Sequence, residues 1–103
     1  PGARPEQDGY RPEPDQAKTD FLRMTLDVCF TFANIAASRI RTGSREGAEL
    51  SVAEAEKGYS RRVRLMSDPK NSYRISEDDR RELLEGTDRL RSTLDDLERK
   101  MAR

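Results

Sequence analysis

Histidine and tryptophan are missing from this 103-residue sequence, and cysteine occurs once, at Cys29. Without histidine the chain lacks the one side chain whose ordinary pKa lies near neutrality, and with it the usual general base and the commonest metal ligand. Cys29 has no second cysteine to pair with and cannot supply the thiolates of a structural zinc site, so nothing points to an oxidising compartment and the expected location is cytoplasmic. Long apolar runs are also lacking. The longest, Val28 to Ala37, contains Thr31 and Asn34 and falls short of the roughly 20 residues a membrane span requires. An excess of one charge is lacking too: 20 basic and 20 acidic residues cancel, so no overall field draws the chain toward nucleic acid or anionic lipid. These absences set the expectations of no catalytic residues, no cofactor, no metal and no membrane partner.

What is present is pattern. Only 33% of residues are hydrophobic and 39% are charged, a balance that would favour disorder if the apolar residues were scattered, but they recur at helical spacing. Residues 1–15 stand apart: they hold all but one of the five prolines and offer only Ala3 and Tyr10 as apolar candidates, so a flexible tail is expected there. The remaining residues, 16–103, read as a single domain of three helices at about 16–42, 44–66 and 77–102.

The first helix is predicted to end at Gly43, which supplies a left-handed stop. At 100° per residue its polar stripe runs through Asp20, Arg23, Asp27, Thr31, Asn34, Ser38 and Arg41. Opposite lie Leu22, Leu26, Cys29, Ala33, Ala36 and Ile40, with Phe21, Val28, Phe32 and Ile35 on one flank and Phe30 and Ala37 on the other. That arc, roughly 220° wide, is about twice what one neighbour covers, so at least two helices must pack on it.

Ser44 is placed to cap the second helix, which Asp68-Pro69 ends. Its stripe of Ala48, Val52, Ala55, Tyr59, Val63 and Met66 is thin, and small residues there, with Gly58, permit a close backbone approach. A polar connection over Ser67 to Ile75 follows. Ser76 with Asp79 forms a variant capping box for the third helix, whose seam is Leu83, Thr87, Leu90, Leu94, Leu97 and Met101. Short connections reverse direction each time. The expected fold class is all-α, an antiparallel up-down-up three-helix bundle behind a disordered N-terminal tail.

Ile35-Ala36, Gly43 at the turn, and Ala48, Val52 and Ala55 together resemble the helical hairpin of tetratricopeptide repeats. The likeness covers residues 35–55, once, and departs from the repeat at Arg39, where an aromatic residue is usual. The resemblance implies a protein-binding helical scaffold.

Two candidate surfaces emerge. Apolar residues away from the main stripes, Met24, Phe30, Leu50, Leu65 and Leu84, form a candidate protein interface if they meet in space, either with a partner helix or with a second copy in a homodimer. Arg61, Arg62, Arg64, Lys70 and Arg74 form the densest basic cluster, and arginine forks suit phosphate or carboxylate. The reading is therefore a small non-catalytic helical interaction or self-association module. The alternative docks an anionic ligand or nucleic acid on the basic cluster.

Overall fold

The computed structural model describes residues 16–72 and 75–102. The expected tail at residues 1–15, and Arg74, lie outside these described residues. Within them the protein is an all-α, three-helix bundle. The long helices are α1 (Gln16–Arg41), α2 (Arg45–Ser67) and α4 (Glu77–Met101), and a single turn, α3 (Pro69–Ser72), lies inside the connection read from sequence as irregular.

Each boundary has a local cause. At the end of α1, Gly43 takes φ 83°, and the amides of Gly43 and Ser44 donate to the carbonyls of Ile40 (3.2 Å) and Arg39 (2.8 Å), closing the helix with a left-handed cap. Ser44 occupies the N-cap position of α2 but makes no side-chain cap hydrogen bond, its backbone carbonyl serving the Ala48 amide instead. Asp68, held extended before Pro69, ends α2, and its carboxylate accepts from the Lys70 amide at 3.0 Å. At the start of α4 the Ser76 hydroxyl accepts from the Asp79 amide at 3.1 Å, and Glu77, Asp78 and Asp79 meet the positive end of the helix dipole.

The core has two parts. Toward the α1–α2 turn it is made of small side chains facing large ones: Cys29, Ala33, Ala36, Ala48, Val52 and Ala55 against Leu90, Leu94 and Leu97. Alanine on both α1 and α2 lets their backbones approach, while the leucines of α4 fill the space behind. Leu90 and Leu94 are fully buried, each contributing about 1.5–3 kcal/mol by removal from water. At the other end Leu22, Ile75 and Leu83 form a smaller apolar cluster with Leu65 and Met66 packed on it.

Ion pairs clamp the edges. Arg91 on α4 grips the Glu56 carboxylate of α2 with two bonds of 2.9 and 2.5 Å and lies over the Tyr59 ring at 4.7 Å. Arg23 on α1 bonds Asp79 and Glu82 of α4, both at 2.8 Å. No described helix is long and apolar enough to cross a membrane.

Candidate protein-docking groove

The broad apolar arc of α1 is covered fully on one flank and only in part on the other, where Phe32 packs on the core. Phe30 and Ala37, on the α4 side, pack against the core, whereas Phe21, Met24, Val28 and Ile35 remain 46%, 54%, 48% and 36% exposed. Their spacing of three, four and seven residues keeps them on one line along α1. α2 and α4 cover the rest of the arc, and this edge faces solvent.

Where this stripe meets α2, the surface sinks into a groove of about 230 Å³. Met24, Val28 and Phe32 wall it on α1 and Leu65 on α2, while Glu54, Lys57 and Arg61 form its α2 rim. Lys57 reaches Glu54 at 3.3 Å, so Arg61 sets the sign of that rim. Two of the five apolar residues singled out from sequence, Met24 and Leu65, therefore share one groove. Leu50, 64% exposed, lies one turn beyond Glu54 on the same face of α2. Leu84 does not join them. It opens with Val63 into a separate hollow between α2 and α4. Phe30 packs against the core and is not among the residues lining the groove. In their place the structure exposes Phe21, Val28 and Ile35, which the sequence had assigned to a buried flank.

Of the basic cluster, Arg62 must be withdrawn. Arg62 is fully buried at the centre of the bundle. Its Nε donates to the Thr87 hydroxyl (3.1 Å). Nη1 donates to the Leu22 carbonyl and the Thr25 hydroxyl (2.9 Å), and Nη2 to the Leu83 carbonyl (3.3 Å), Thr87 (3.0 Å) and the Met66 sulfur (3.5 Å). Every partner is a carbonyl, a hydroxyl or a thioether, so the fork is spent on joining α1, α2 and α4 and none of it is free for an anion. Burial lowers the Arg62 pKa, with Cys29 and Asp27 acting in the opposite direction. Arg61 and Arg64 are exposed on α2, and Lys70 sits on α3 with its carbonyl accepting from Lys18 Nζ at 3.3 Å.

The floor of the groove explains Gly58. A Cβ on this residue would lie 2.5 Å from Cys29 Sγ, so only glycine lets the buried sulfur sit against α2. Burial pushes the Cys29 thiol pKa up and the nearby Arg62 charge pulls it back. That thiol is a packing element and a poor nucleophile. Among the described residues no group of three or more acidic or cysteine side chains is arranged to hold a metal ion.

Comparison of the chain with protein-family models, with curated proteins and with solved structures gave no match.

Proposed function

We propose that this protein is a non-catalytic helical interaction module that seats an amphipathic helix along the exposed stripe of α1 and the groove beside α2. One observation carries the reading: the half-exposed line of Phe21, Met24, Val28 and Ile35 continues into an apolar groove walled by Phe32 and Leu65. Scattered apolar residues on a surface need no explanation, but a contiguous row along one helix, next to a concavity, is the form taken by helix-in-groove recognition. The resemblance of residues 35–55 to a tetratricopeptide hairpin supports the same class of role. An anion-docking role loses its central residue once Arg62 is inside the bundle.

A photoreactive amino acid at position 28, introduced in the cells from which the protein comes, tests this reading. Illumination should give one adduct of discrete mass, lost when Met24→Glu is added, while the same group at Ser92 on the exposed side of α4 should give none. No adduct from position 28, or equal labelling from both positions, would overturn it.

A further inference from the structure

Resting on the docking face just proposed, we infer that its occupant is a second copy of this chain, related by a two-fold axis parallel to the helices. The two edges of the face carry opposite charge. On α1 the apolar stripe is bordered by Asp27, 60° around the helix from Met24 and exposed. On α2 the facing row carries Lys57, Arg61 and Arg64, with Lys57 satisfied by Glu54. An apolar helix with a carboxylate at its margin fits this groove, and α1 with Asp27 is such a helix.

Heights along the bundle agree. Arg62 reaches Leu22 and Thr25, Gly58 lies against Cys29, and Arg39 reaches Gly47 and Ser51, which fixes the antiparallel register of α1 and α2. In that register Leu65 is level with Phe21, Arg61 with Asp27, and Leu50 with Ile35. An axis parallel to the helices preserves height and exchanges α1 for the partner's α2. Phe21 then meets the partner's Leu65, Ile35 meets the partner's Leu50, and Asp27 meets the partner's Arg61. The product is a four-helix layer of two α1–α2 hairpins with both α4 helices outside. An axis perpendicular to the helices would instead set α2 against the partner's α2 and bring the two arginine rows together, an arrangement that like charge opposes. Charge therefore selects one two-fold over the other, and the self-complementary patch is the kind that closed dimers use.

Sedimentation velocity of the full chain over a wide concentration range tests the inference, with helicity checked by circular dichroism. The wild type should pass from 11.8 kDa to twice that mass. Asp27→Arg and Arg61→Glu, both at exposed positions, should each weaken the dimer about tenfold, since the axis makes every substitution act twice. The double variant Asp27→Arg/Arg61→Glu should regain most of the loss. Register is read by mixing Ile35→Cys and Leu50→Cys chains, each carrying Cys29→Ala: oxidation should join unlike chains in preference to like ones. A wild type that stays monomeric throughout, a double variant no better than either single one, or preferential joining of like chains would overturn the second-copy inference. A wild-type monomer that still gives a position-28 adduct with a different protein would reject the dimer and leave the docking face standing; loss of both results would reject both.

Discussion

The two ends of the bundle are held together by different chemistry. Near the α1–α2 turn, alanines at Ala33, Ala36, Ala48 and Ala55 let two backbones close on each other over Leu90, Leu94 and Leu97. At the opposite end the apolar cluster is thinner, and a fully buried guanidinium takes the centre, joining three helices through Leu22, Thr25, Leu83 and Thr87. The first end depends on volume. The second depends on the Arg62 donors finding acceptors, because the same low polarity that strengthens a satisfied network makes a broken one costly. The contrast also explains why an arginine is tolerated there: the acceptors come from helix carbonyls and threonines already facing the interior, so no carboxylate had to be buried with it.

Single substitutions at five positions would break or sharpen this contrast. Leu94→Ala removes a fully buried side chain at the alanine end, where close-packed backbones cannot collapse into the hole, and should cost about 4 kcal/mol by urea unfolding. Arg62→Ala attacks the other end. It strands the buried carbonyl and hydroxyl acceptors and should cost about 3 kcal/mol, and Arg62→Met, which keeps much of the volume but strands the same acceptors, should recover less than half of that loss. If Met proves nearly harmless, the filled space and not the polar network is what the lower end requires.

Gly58→Ala should cost about 1–2 kcal/mol, because the clash with the buried Cys29 sulfur exceeds the roughly 1 kcal/mol that alanine gains in a helix. Adding Cys29→Ala should restore most of it. Gly86→Ala gives the control: its Cβ would crowd the outer methyl of Leu26 at 2.5 Å, a side chain able to turn away, and otherwise make ordinary contacts at 3.7 Å with Leu26 Cγ and Arg89 Nη2, so the change should be close to neutral.

The last expected effect is electrostatic. The Arg91 fork holds the Glu56 carboxyl below its ordinary range, so this group adds stability above the usual carboxylate pKa, and the gain disappears as pH falls through the lowered folded value. Glu98 opposes it. Burial and the neighbouring Glu56 raise the Glu98 pKa, so its ionisation costs stability as pH rises through the carboxylate range. Both groups are partly open to solvent, which limits the Glu56 contribution to about 1 kcal/mol. Glu56→Gln should flatten the decline of melting temperature on the acid side, and an unchanged acid limb would show that the Arg91 clamp contributes nothing measurable.

Much of the fold was legible in the sequence. The three long helices lie at the predicted positions to within one residue at each end, because Gly43, Asp68-Pro69 and Ser76 act through local geometry that no distant contact can override. The candidate site was legible only in part. Met24 and Leu65 meet in one groove, but Phe30 turned inward and Leu84 outward to another face. Helical spacing tells which residues share a face, not which faces a neighbour reaches.

Arg62 shows the limit most sharply. In sequence it stands between Arg61 and Val63 in a basic run and is indistinguishable from its neighbours, yet 100° of rotation per residue places Arg61 on the rim and Arg62 in the centre. A signal was present in the one polar member of the α4 seam, Thr87, which becomes intelligible as the hydroxyl that accepts twice from Arg62.

The sequence by itself determined that the chain makes three amphipathic helices, and where they start and stop. Only the packed structure decided which sector of the α1 arc stays uncovered and which arginine goes inside. Those outcomes depend on how far two backbones can approach and on which acceptors happen to converge, and both are properties of three helices together that no single helix carries.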